Sequence, residues 1–140
     1  MGADTTVVGI NRENLGKPIN KKEACKMMQF LQGRKHFVYT GYAIFSLEKG
    51  SLTLQANKVV RTDVYMKKLT SQEIIRYVNR GESMDKAGAY AAQGFGMALI
   101  EKISGSYTNV VGLPVAEVVE DLKKFGWKSN ERTRRSTKKD

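Results

Sequence analysis

The run HFVYTGYAIFSLEKGSLTLQANKVVRTDVYM, residues 36–66, limits what this chain can become more than any other stretch. HFVYTGYAIFSL (36–47) is rich in aromatic and β-branched side chains and reads as a strand, LEKGS as a turn, and LTLQANKVVRTDVYM as a second long strand. Together they predict an antiparallel hairpin. A hairpin alone is marginally stable in water, so the rest of the chain must cover it.

The flanking segments suit that task. GADTTVVGI (2–10) reads as a buried strand, with Thr5, Val7 and Ile10 among its β-formers, and NRENLGKP (11–18) as a loop ending in a Gly-Lys-Pro turn. The spacing predicts a helix over 21–32: Asn20 is a good N-cap with Glu23 three residues on, Ala24, Met27, Met28 and Leu31 form the apolar stripe, and Gly33 closes it. Thr70 and Glu73 make a capping box for a short helix whose Ile74, Ile75 and Val78 face inward, ending at Gly81. ALIEKI (98–103) and the stretch around NVVGL (109–113) read as short strands. Pro114 suits the first turn of a last helix, running to about Phe125, with Val115, Val118, Val119, Leu122 and Phe125 inward and Gly126 ending it. Strands and helices alternate irregularly, so the expected class is α/β or α+β with a mixed sheet, in one domain over residues 1–127.

Composition removes several functional classes. No apolar run approaches the roughly 18 residues a membrane span needs. Cys25 is the only cysteine and His36 the only histidine, which excludes an intramolecular disulfide and a Cys/His zinc site and makes a cytoplasmic, reducing location the default. The net charge is +10 over 140 residues. Residues 128–140, KSNERTRRSTKKD, hold six Lys/Arg against two acids and no hydrophobic residue, and read as a solvated, disordered tail rather than a nucleic-acid module. The remaining positive charge suits a polyanionic ligand.

Three places break the amphipathic pattern. Asp4 lies inside the first apolar segment, where a carboxylate is costly unless it is hydrogen-bonded at the strand end, accepts a proton or ligates a cation such as Mg²⁺. Lys17 sits in a turn that a proline restricts, where an ammonium serves either as a solvated charge or as a point charge on phosphate. Asp85, Lys86 and Gln93 surround Gly88, Gly94 and Gly96, and such glycines let backbone N–H groups approach an anion closely. Gln93 carries a donor and an acceptor on one amide, which matches the O4 acceptor and N3–H donor of uracil or thymine. His36, beside Phe37 and Val38, reads as structural, and Cys25 has no His or Asp at motif spacing.

ADTTV (3–7), LGKP (15–18), LQGRKHFVYTG (31–41), GESMDKAGAYAAQGFG (81–96) and SGSYTNVVGLP (104–114), in that order, resemble the Maf family of nucleoside triphosphate pyrophosphatases over about residues 2–126. The resemblance implies a Maf/ITPase-like twisted sheet flanked by helices. It also implies hydrolysis of a nucleoside triphosphate to the monophosphate and pyrophosphate with a divalent cation, Mg²⁺ or Mn²⁺. By the same resemblance Asp4 is the proton acceptor for the attacking water, and Asp4 and Asp85 stand on the metal side. Lys17 and Lys86 hold phosphate, while Thr5 and Gln93 govern substrate choice and match the branch acting on dTTP and UTP. Family members are often homodimers. They begin with a strand and a Ser-x-Ser-Pro-Arg-Arg motif that this chain does not supply, so the expectation is a domain lacking its N-terminal third. The alternative to an active enzyme is therefore a non-catalytic remnant that binds nucleotide or a partner.

Overall fold

The computed structural model describes residues 1–128; residues 129–140, nearly all of the basic tail, lie outside the described residues. The chain forms β1 (Gly2–Val8), β2 (Asn14–Leu15), α1 (Lys21–Leu31), β3 (Lys35–Glu48), β4 (Ser51–Met66), α2 (Ser71–Val78), β5 (Ile100–Ser104), α3 (Tyr107–Val111) and α4 (Val115–Lys124). The strands build one five-stranded sheet in the order β2-β1-β3-β4-β5, and helices flank it. The α/β class holds. Among the described residues every pairing is antiparallel, where a mixed sheet was expected.

The hairpin is the spine. β3 and β4 pair from Lys35↔Tyr65 to Glu48↔Ser51, with one irregularity between Ile44 and Phe45. Lys49 and Gly50, both at positive φ, make the tight two-residue turn that right-twisted strands favour. Along β3, His36, Val38, Thr40, Tyr42 and Ile44 are buried while their odd-numbered neighbours are half-exposed, the period of two expected of a strand with one covered face. Beyond Ile44 cover ends. The cross-strand pairs Phe45↔Leu54 and Leu47↔Leu52 stand in solvent, Leu47 and Leu52 each about 70% exposed.

Helices α1 and α2 close the main core. Asn20 caps α1 by accepting a hydrogen bond from the Glu23 N–H at 2.8 Å. Ala24, Met28 and Leu31 then bury against Val38, Val64 and Met66 of the hairpin. Thr70 and Glu73 complete the capping box of α2, each side chain bonded to the other's backbone N–H at 3.2 Å. Here one expectation fails: Ile75 is half-exposed and Tyr77 takes the inward place beside Ile74 and Val78. At 3.6 residues per turn, positions 74, 77 and 78 share a face that 75 misses.

Four further readings are corrected. The first strand stops at Val8 and is buried only at Val7; Asp4 and Ile10 are exposed, so Asp4 carries no burial cost. Residues 98–99 close a 3₁₀ segment and β5 begins at Ile100. The NVVGL stretch is not a strand but lies in and after α3, because Ser106 caps that turn by accepting the Asn109 N–H at 3.1 Å. Asn109 itself is fully buried and donates its side-chain amide to the Val38 and Val60 carbonyls and to Thr62 Oγ1. That anchorage outweighs the β-propensity of two valines. In α4, Val118 is buried while Val115 and Phe125 are nearly half-exposed; the other inward residue is Asp121.

Asp121 fastens α4 to the hairpin, accepting hydrogen bonds from Tyr42 Oη and Lys58 Nζ, both at 2.6 Å. Lys58 and Tyr42 hold its carboxyl below the usual carboxylate range. At the other side of the sheet, β2 covers only Val7 and Val8 of β1. Among the described residues Gly2–Thr6 therefore present an open strand edge.

Candidate active site

A backbone bond assembles the site. The Gly88 N–H donates to the Gly16 carbonyl at 3.2 Å, which lays the Asp85–Lys86 loop against the turn that carries Lys17. Gly88 has φ +74, and a Cβ there would stand 3.0 Å from Val7 Cγ1, so both the turn and the close approach to β1 require glycine. The two loops and the middle of β1 enclose an open cavity of about 240 Å³. Asp4, Thr5, Lys17, Asp85, Lys86 and Gln93 all line it. These are the six residues singled out in the sequence, drawn from three separated segments.

Their surroundings differ. Asp4, Lys17 and Gln93 are exposed at the wall. Lys86 Nζ stands 3.8 Å from Asp85 Oδ2, both side chains well exposed, a spacing at which solvent screens most of the attraction. Thr5 is more deeply held. Its hydroxyl lies 2.8 Å from Thr40 Oγ1 and 3.1 Å from the Gly112 carbonyl, tying β1 to β3 and to the end of α3. Thr5 donates to the Gly112 carbonyl, and the Thr40 hydroxyl beside it can give or take a proton, so both contacts are satisfied with the Thr5 side chain in one fixed rotamer.

Several lining or supporting residues had no local sequence signal. Tyr90 lines the cavity and its hydroxyl lies 2.6 Å from His36 Nε2, the rings meeting edge to face. His36 is completely buried; burial pulls its pKa down to about 4 and pushes the Tyr90 phenol up, so both are neutral near pH 7. The reading of His36 as structural stands. Val110, Val111 and Gly112, at the end of α3, also line the cavity.

Two ammonium groups and two carboxylates share one concave, water-accessible surface beside an exposed amide. No group of three or more potential metal ligands occurs among the described residues. Two carboxylates fit Mg²⁺ or Mn²⁺ only in the manner usual for nucleotide sites, where phosphate oxygens and water complete the shell.

Comparison with known proteins decides the family. A family model described as Maf-like protein matches residues 1–125. The chain belongs to the Maf-like family. Among curated Maf-type relatives, it is similar to the dTTP/UTP pyrophosphatase of Geobacter sulfurreducens, at 49% identity over 126 residues, covering 90% of this chain and 64% of the relative. The protein of the same name from Syntrophus aciditrophicus is 50% identical over 126 residues, covering 90% of this chain and 60% of that protein. The one from Caldanaerobacter subterraneus subsp. tengcongensis is 48% identical over 131 residues, covering 91% and 60%. This Maf-like chain thus spans less than two thirds of the length of these relatives.

Proposed function

We propose that this chain is a nucleoside triphosphate pyrophosphatase of dTTP/UTP type. The observation that carries this reading is the convergence of Asp4, Thr5, Lys17, Asp85, Lys86 and Gln93 on one cavity, in a chain about half identical to proteins of that name. In the reaction, a water oxygen attacks the α-phosphorus of the triphosphate. Asp4 takes the water's proton, the bond from the α-phosphorus to the bridging oxygen breaks, and its electron pair leaves with pyrophosphate. Lys17 and Lys86 bind the triphosphate and oppose the charge that grows on the leaving group, each such preorganised contact being worth about 3 kcal/mol. Asp4 and Asp85 would hold the divalent cation, which when bound supplies further charge neutralisation on the phosphate oxygens. The Gln93 amide reads O4 and N3–H of uracil or thymine and rejects cytosine, whose N4 amine and bare N3 reverse the pattern.

Purified protein incubated with UTP or dTTP and Mg²⁺ should release pyrophosphate, and Asp4→Asn should abolish most of that release. Equal turnover by wild type and Asp4→Asn removes the catalytic reading. A second reading is a nucleotide-binding chain without turnover. It predicts UTP binding by calorimetry with no pyrophosphate formed. A cytoplasmic location and a homodimer accompany the proposal; light scattering checks the second. No helix among the described residues is long and apolar enough to cross a membrane.

A further inference from the structure

The segment that carries Gln93 is held in an unusual backbone path. Gly88, Ala89 and Gly94 all have positive φ, and alanine adopts that region only at a cost. Four side chains from outside the segment grip it on either side of Gln93, at residues 91–92 and 95–96. Tyr77 Oη accepts the Ala91 N–H at 3.0 Å, and Tyr107 Oη donates to the Ala92 carbonyl at 2.8 Å, just before Gln93. Beyond Gly94, the Glu82 carboxylate accepts two successive amides, Oε1 from Phe95 at 3.0 Å and Oε2 from Gly96 at 3.2 Å. The Arg80 guanidinium lies over the Phe95 ring, 3.7 Å from its centroid. Gln93 is thus the unclamped crest between two clamped flanks.

The packing leaves the crest little freedom. A Cβ on Gly96 would overlap the Ala91 carbonyl oxygen and stand 3.0 Å from Tyr77 Oη, so the two flanks of Gln93 are in direct contact. Amide reading of a base needs a donor and an acceptor fixed to within fractions of an ångström, and an exposed glutamine on a glycine-rich segment does not supply that fixity alone.

We infer that Glu82, with Tyr77 and Tyr107, is a positioning set for the base-reading amide of Gln93, and that selectivity for uracil-type over cytosine-type nucleotides depends on it. This rests on the proposed function only for the identity of the base. None of the three lines the cavity, so each acts through the backbone of residues 91–96 and not on the ligand.

The test uses the full chain and two variants, Glu82→Ala and the milder Tyr107→Phe, with equilibrium unfolding as a control for fold. Amide hydrogen exchange at Phe95 and Gly96 should accelerate about tenfold or more in Glu82→Ala, the equivalent of losing one charge-assisted bond, while the amides of β3 and β4 keep their rates. Calorimetry with UTP, CTP and inorganic pyrophosphate reads the consequence. The UTP-to-CTP affinity ratio should fall about tenfold in Glu82→Ala and less in Tyr107→Phe, with pyrophosphate affinity unchanged. Unchanged exchange at Phe95 and Gly96, or an unchanged ratio in a wild type that does prefer UTP, overturns the positioning role and leaves base reading intact. Parallel loss of UTP and pyrophosphate affinity also overturns it, since that is general damage. A wild type without preference for UTP over CTP overturns both the base reading and the inference.

Discussion

His36 offers the most quantitative check on this structure. Its imidazole is completely buried, and among the described residues its ring bonds only Tyr90 Oη, leaving Nδ1 without a partner. Among the described residues no carboxylate pairs with it, and burial depresses the pKa from 6.5 to about 4. Above pH 6.5 the ring is neutral in both folded and unfolded chains and contributes no pH dependence. Between pH 6.5 and 4 the unfolded chain binds a proton that the folded chain refuses, so stability falls with falling pH. The slope is about 1.4 kcal/mol per pH unit, and the full loss is about 3 kcal/mol when the folded ring begins to protonate. Urea unfolding of wild type and His36→Gln across pH 7.5 to 4 measures this directly. Glutamine cannot titrate and still offers Tyr90 an amide, so the two stability curves should converge as the pH drops, by about 3 kcal/mol over the window. Curves that stay parallel from pH 6.5 to 4 refute the account of a neutral, desolvated imidazole.

Two further outcomes follow from described contacts. Thr70→Ala removes the capping box of α2 and should cost about 1 kcal/mol in urea unfolding, with an unchanged m-value. Asp121→Asn leaves Lys58 without its 2.6 Å partner and should lower the melting temperature at pH 7. Because the Asp121 carboxyl is held below its ordinary range, its contribution is present at neutral pH and vanishes as pH falls below about 4, where the variant's deficit, read by calorimetric melting, should shrink.

Much of this fold was legible because local signals agreed with the global pattern. Asn20, Thr70 and Glu73 cap as their spacing requires, and the hairpin occupies almost the whole run 36–66. Failures arose where long-range contacts overrode local preference. Two valines in NVVGL suggested a strand, yet a buried amide at Asn109, reaching two strands distant in sequence, made it a helical turn. Asp121 broke the apolar stripe expected of α4 because its partners, Tyr42 and Lys58, belong to the hairpin. Six of the residues that line the cavity were singled out by residue type and linked motifs. Their supports were not, since Glu82, Tyr77 and Tyr107 reveal a role only through backbone groups that folding brings to them.

The junction between Gly88 and Gly16 has a bearing on how this pocket can change over evolution. Main-chain atoms fix how far apart the roots of the two ammonium-bearing side chains stand. Exchanging lysine for arginine at either place would lengthen a reach without moving its origin. Changing the distance between those two charges would instead demand an inserted or deleted residue in one of those turns.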